Sequence, residues 1–146
     1  MSYETLNPEE TLARLDGDGE WTYIDVRTPE EFGRGHVPGA YNVPAFFPGP
    51  MGMMPNPEFA GVMKGHFATD RALVLGCAAG GRSMHACEQL TPEGYTQLAN
   101  MDGGFSGRPD PEGGPGVPGW QERGFPVAES CEEGRDWDSL RGAQAE

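Results

Sequence analysis

The sequence predicts an α/β domain in which a mostly parallel sheet is covered by helices on both faces. Three observations carry this. Short runs rich in aromatic and β-branched residues alternate with capped helical segments along the chain. The run Ala72-Leu73-Val74-Leu75 is apolar throughout and has the character of a buried strand. The length of 146 residues, with 36% hydrophobic and 23% charged content, fits one domain with a working core.

The elements follow in order. Asn7 is an N-cap, Pro8 takes the first helical position, and Glu9 and Glu10 sit in the first turn, with Leu12 and Leu15 facing the core. Asp16-Gly17-Asp18-Gly19 ends that helix. Trp21 to Arg27 is a strand. Thr28 caps a second short helix, with Glu31 three residues on as the capping-box acid. Gly33, Gly35, Pro38 and Gly39 break the chain before a short strand at Ala40-Tyr41-Asn42-Val43. Residues 44–57 are expected to be a loop. A helix runs from about Glu58 to Phe67, the buried strand follows, and Arg82 to Leu90 is again helix. Thr96 to Met101 is the last core strand. Residues 106–119 form a second long Gly/Pro loop, and Trp120 to Val127 give a helical turn and a return to the core. The domain is expected to span residues 1–127. Residues 128–146 are read as an acidic C-terminal tail, mobile or lying along the surface.

Several classes of function are excluded. No apolar run approaches the roughly 18 residues of a membrane span. Met1-Ser2-Tyr3-Glu4 lacks the regions of a signal peptide, so a cytoplasmic location is expected. Three cysteines, Cys77, Cys87 and Cys131, make a poor disulfide framework, and neither they nor His36, His66 and His85 show metal spacing. No metal or organic cofactor is implied. The formal net charge of −13 argues against nucleic acid and anionic membrane as partners.

The chemistry concentrates at Cys77. It ends the apolar strand and opens the turn Cys77-Ala78-Ala79-Gly80-Gly81-Arg82-Ser83, which leads into a helix. A turn of this kind aims backbone N–H groups, and the start of a helix, at the anion a sulfur carries. Ligands of parallel sheets bind at the carboxyl ends of the strands. That edge gathers Asp25 and Arg27, the loop after Val43, the Cys77 turn and the loop after Met101.

The residues from Ile24 to Pro44, Ile-Asp-Val-Arg-Thr-Pro-Glu-Glu-Phe-Gly-Arg-Gly-His-Val-Pro-Gly-Ala-Tyr-Asn-Val-Pro, closely resemble the N-terminal signature of the rhodanese family. Cys77 to Ser83 resembles that family's active-site loop. Asp102-Gly103-Gly104-Phe105, Trp120 and Gly124-Phe125-Pro126-Val127 resemble its C-terminal pattern. The likeness spans about residues 5 to 127 and three motifs in order. It implies a rhodanese-like fold, with a central, mostly parallel five-stranded sheet flanked by helices. It also implies sulfur transfer through a persulfide on Cys77, from a small-molecule donor such as thiosulfate to a cyanide or thiol acceptor, with a protein acceptor as an alternative.

Loop length separates two chemistries. Phosphatases that share the rhodanese fold place five residues between cysteine and arginine; four separate Cys77 from Arg82 here, which favours sulfur over phosphate. Rival readings are a persulfide carrier, a partner-binding module and, least favoured, a phosphatase or arsenate reductase. In the first reading Cys77 is the nucleophile, the N–H groups of Ala78, Ala79, Gly80, Gly81, Arg82 and Ser83 cradle the sulfur, and Arg82 orients an anionic donor. Asp25 and Arg27 support the active edge, with Glu31 as a plausible partner for Arg27. His36 is read as structural, His85 as a helical surface residue, Cys87 as packed, and Cys131 as an exposed thiol or a relay. Phe46, Phe47, Met51, Met53 and Met54 form either a packed loop or an apolar lip.

Overall fold

The computed structural model describes residues 3–17, 20–50, 52–110, 112–114, 116–130 and 133–143. Strands β1 (Tyr3–Leu6), β2 (Trp21–Asp25), β3 (Tyr41–Asn42), β6 (Ala72–Gly76) and β7 (Leu98–Met101) form one sheet in the order β1-β7-β6-β2-β3. Every neighbouring pair in it is parallel. A separate antiparallel pair, β4 (Phe46–Gly49) and β5 (Gly52–Pro55), makes a hairpin. Helices α1 (Pro8–Leu15), α2 (Pro29–Arg34), α3 (Phe59–His66), α4 (Gly81–Leu90) and α5 (Trp137–Ala143) cover the sheet.

The two-residue period of a strand sorts the core into two layers. Ile24, Leu73, Leu75 and Leu98 point to one face and pack with Phe59, Val62 and Met63 of α3, Ala86 and Leu90 of α4, and Trp137 and Leu140 of α5. Tyr23, Val74, Ala99 and Met101 point to the other and pack with Phe32 of α2, Phe105 and Trp120. Leu73, Val74 and Leu75 are all fully buried, as a central strand covered on both faces requires.

The caps are as the sequence predicts. Asn7 and Glu10 form a reciprocal capping box on α1, and Thr28 and Glu31 form one on α2. Three elements differ from expectation. The first is β1, a short edge strand in a segment with no strand pattern of its own. The second is residues 44–57, which are not a plain loop: the β4–β5 hairpin occupies them, and Asn56 closes its base by donating from Nδ2 to Pro44 O at 2.8 Å and from N–H to Ala45 O at 2.8 Å. The third is α5. The segment after residue 127 is not a polar appendage throughout, because Trp137 (6% exposed) and Leu140 (2%) are buried in the core. Burying two large side chains outweighs the charge of their neighbours. Met51 and Cys131 lie outside the described residues.

Replacing Trp137 with Ala is therefore expected to lower the free energy of unfolding by about 2–4 kcal/mol, measured by denaturant titration. Wild-type stability would show that α5 contributes nothing to the core.

Candidate active site

The strand ends bring the site together. Residues Asp25, Asn42, Gly76 and Met101 finish their strands at one edge of the sheet. Cys77 follows Gly76 directly and is 2% exposed. Gly76 is required there, because a Cβ would occupy the place of the Tyr23 hydroxyl. Burial first, then the Asp25 charge, pushes the Tyr23 phenol well above its ordinary range, so it is neutral.

The turn folds back over the sulfur. Gly80, at φ +118°, is the N-cap of α4 and sends its N–H to Cys77 Sγ at 3.1 Å. Ser83 sends its backbone N–H to the same sulfur at 3.4 Å, and its Oγ lies 3.5 Å away. Gly80 and Ser83 are thus the residues donating to Sγ. Ala78, Ala79, Gly81 and Arg82 complete the turn and make no hydrogen bond to the sulfur. The first turn of α4 adds the positive end of its dipole.

The loop after β7 clamps this turn from behind. Phe105 N–H donates to Cys77 O at 2.8 Å, and Ser106 N–H to Ala78 O at 2.8 Å. Gly104, at φ +57°, sits so close that a Cβ would lie 2.6 Å from the carbonyl carbon of Ala78. Behind it, Trp120 N–H donates to Gly104 O at 2.9 Å, and Trp120 Nε1–H to Pro126 O at 2.6 Å. Arg108 bridges Val117 across the following loop, and its Nε ties that loop to the end of β7 through an ion pair with Asp102 Oδ1 at 2.6 Å.

Charge pairing differs from expectation. Arg27 pairs with Asp25, not Glu31: Nη2 reaches Oδ2 at 2.7 Å and Nε reaches Oδ1 at 3.0 Å. Both side chains are buried, and Arg27 also donates to Gly35 O at 2.7 Å and stacks over Phe105 at 4.5 Å. The pair therefore braces the edge beneath the site. Glu31 instead binds Arg82 in bidentate fashion, Oε1 to Nη1 at 2.8 Å and Oε2 to Nη2 at 3.0 Å. Asp25 and Arg27 share one strand end, whereas the α2 cap turns the Glu31 carboxylate toward the start of α4. Partial burial pushes Glu31 up, but the Arg82 guanidinium and the Thr28 N–H more than offset it, so its carboxyl is lowered to about 2.

The remaining residues sort readily. The His36 ring stacks on Phe32 with centroids 3.8 Å apart, and its Nδ1 lies 2.8 Å from Phe32 O, a structural role. Cys87 is fully buried, and burial pushes its thiol up to about 12. His85 is exposed, its ring 5.1 Å from that of Phe46. Phe46 and Phe47 pack against the core, while Met53 and Met54 are 44% and 42% exposed, so the hairpin is anchored at one end and apolar at its rim. One shallow groove runs between Thr28, Glu31, Pro48, Met53 and Arg82; another is lined by Arg27, Arg34, Phe105 and Gln121. Both long loops therefore reach the active edge. For Gly104 the local signal in the sequence is the Gly103-Gly104 pair, and Asn100 has none; Glu31 is marked there as a cap and a partner for Arg27, but it binds Arg82.

The model of the rhodanese-like domain matches residues 7–107. This chain belongs to the rhodanese-like family. It is 44% identical over 84 residues to thiosulfate sulfurtransferase 16, chloroplastic, of Arabidopsis thaliana, covering 58% of this chain and 70% of that one. Thiosulfate sulfurtransferase 18 of the same plant is 31% identical over 113 residues, 76% of this chain and 74% of that one. The share of a relative's own length that is matched differs widely, from 50% in one to 92% in another. Among solved structures, Rv0390 from M. tuberculosis superposes with a TM-score of 0.64 at 26% identity, over 88% of this chain and 100% of that one. These findings support sulfurtransferase activity in general.

Two outcomes follow from the geometry. The Glu31 carboxyl is lower in the folded chain than its ordinary 4.5, so its stabilisation is present above that pH and is lost as pH falls toward about 2. Glu31→Gln is expected to be about 1 kcal/mol less stable at neutral pH and to lose less stability across that acid interval, read from denaturant midpoints against pH. Gly104→Ala is expected to cost about 2 kcal/mol or more, because a positive φ and a backbone collision combine; an unchanged thermal midpoint would contradict the clamp.

Proposed function

We propose that this protein moves a sulfane sulfur from thiosulfate, or a similar donor, to a thiophilic acceptor such as cyanide or a thiol, through a persulfide on Cys77. The observation that carries the reading is the convergence of the Gly80 N–H, the Ser83 N–H and the Ser83 hydroxyl on a cysteine sulfur at the end of a central strand. The two backbone donors are fixed and stabilise a thiolate and then a persulfide anion without reorganising, and the hydroxyl lies within reach of the same sulfur.

In the first half-reaction the Cys77 thiolate attacks the outer sulfur of thiosulfate. The new S–S bond forms as the old one breaks, and sulfite leaves with the electron pair. In the second, cyanide or a thiolate attacks the terminal sulfur of the persulfide. The Cys77 thiolate departs and the sulfur leaves on the acceptor. Each half-reaction passes through the same covalent enzyme form, so kinetics are ping-pong.

The Arg82–Glu31 pair qualifies the role of Arg82. Its charge is already compensated, so it presents a hydrogen-bonding edge to an anionic donor more than a free cation. The four residues between Cys77 and Arg82, and this engagement of the guanidinium, both argue against a phosphatase or arsenate reductase. A carrier that hands its sulfur to a protein thiol is the second reading, favoured by the exposed Met53 and Met54 at the rim.

The assay is thiocyanate formation from thiosulfate and cyanide. Cys77→Ser is expected to abolish it, and mass spectrometry of the donor-treated protein to show a gain of about 32 Da on Cys77. Full activity in the variant overturns the reading. Slow turnover with a long-lived mass gain selects the carrier.

A further inference from the structure

Asn100 is a buried polar side chain that no step above uses. It lies near the end of β7, opposite Leu75 of β6 and Thr5 of β1, and is 4% exposed. Its immediate neighbours Ala99 and Met101 belong to the apolar core. An amide in such a place persists where it has a hydrogen-bonding task. Its Oδ1 lies 2.5 Å from Ser83 Oγ, and Ser83 is fully buried.

The Ser83 hydroxyl has one proton and three acceptors within reach. These are Asn100 Oδ1 at 2.5 Å, Gly80 O at 3.2 Å and Cys77 Sγ at 3.5 Å. While Asn100 accepts, the proton is held away from the sulfur. A half-turn of the amide exchanges Oδ1 for Nδ2. Nδ2–H then donates to Ser83 Oγ, and the hydroxyl proton is left with Gly80 O and the sulfur. An anionic sulfur is the stronger acceptor of the two.

We infer that Asn100 is a positioning residue for the reactive sulfur: its amide turns the Ser83 hydroxyl toward Cys77 Sγ whenever that sulfur, as thiolate or persulfide, carries a negative charge. Asparagine suits the position because one rotation converts it from acceptor to donor. Aspartate has the same shape and, when ionised, only accepts, so it would keep the Ser83 proton and place a second negative charge near the sulfur.

The ionisable groups around Cys77 are Tyr23 and the Asp25–Arg27 pair from β2 and its end, Arg82 with Glu31 from α4 and α2, and Asp102, beside Gly80 and paired with Arg108. None is altered in the variants below. The inference rests on the proposed reading only in taking Cys77 as the reactive thiol. Alkylation reports that thiol without any sulfur donor, so failure of sulfur transfer and failure of this inference are separate results.

The experiment measures the rate of iodoacetamide modification of Cys77 in the full chain against pH, resolved by mass spectrometry of its peptide. Asn100→Asp is expected to slow modification at neutral pH at least tenfold, the scale of one hydrogen bond to a charged group, with the rate recovering as pH rises. Asn100→Leu is expected to slow it several-fold, but to add less than twofold in a Ser83→Ala background, because it acts through Ser83. A wild-type profile for Asn100→Asp overturns the inference. So does an Asn100→Leu effect of equal size with and without Ser83. Should Asn100→Leu fail to fold by circular dichroism, the isosteric Asn100→Asp and the single Ser83→Ala decide: Ser83→Ala must also slow modification, and a wild-type rate in it overturns the inference.

Discussion

The two hydrogen bonds from Phe105 N–H and Ser106 N–H to the carbonyls of Cys77 and Ala78 are the contact on which the site depends. A buried carbonyl needs a donor, and these two N–H groups supply it. The turn after β6 is held over Sγ by a second segment of chain that donates to its first two carbonyls. That segment can approach so closely only because Gly104 has no Cβ. Trp120, the 106–119 loop and the Arg108–Asp102 pair hold the clamp in place. Residues far from the sulfur in sequence thereby set its surroundings.

Electrostatics at the edge is a matter of local compensation. The chain carries a net charge of −13, yet the two arginines nearest the turn, Arg27 and Arg82, are each matched by an acid. The sulfur is therefore stabilised by backbone and hydroxyl donors and by the start of α4 rather than by a free side-chain cation. This arrangement suits a terminal persulfide sulfur, which is small and diffuse in charge. A phosphate dianion would call on the guanidinium that Glu31 already occupies. The apolar rim of the β4–β5 hairpin stands at the same edge.

Much of the fold was legible in the sequence because the informative signals are local. Asn7 with Glu10 and Thr28 with Glu31 announce helix starts through contacts three residues apart. The unbroken apolar run of β6 announces a strand covered on both faces. The turn from Cys77 to Ser83 marks the candidate site by its glycines and its position. The remaining elements depend on non-local contacts. β1 is a polar edge strand that exists because β7 offers it a ladder. The β4–β5 hairpin is rich in Pro and Gly, which punctuate loops, and it is stable because Asn56 closes it and Phe46 and Phe47 anchor it to the core. α5 sits in an acidic stretch, and its one visible signal was the three-residue spacing of Trp137 and Leu140, too short to establish a helical period.

Sequence alone determined the class of the fold, the candidate thiol and the length of its turn, since each depends on residues adjacent in the chain. Tertiary structure decided the partners. Glu31 and Arg82, 51 residues apart, meet because α2 and α4 start at the same edge of the sheet. Asn100 reaches Ser83, 17 residues away, because β7 lies beside β6. Cys77 itself, the clearest residue in the sequence, is paired through its carbonyl to a loop 28 residues on. Hydrogen bonds and ion pairs of this kind are satisfied by whichever groups packing brings within reach, and packing of a parallel sheet joins segments that are distant along the chain.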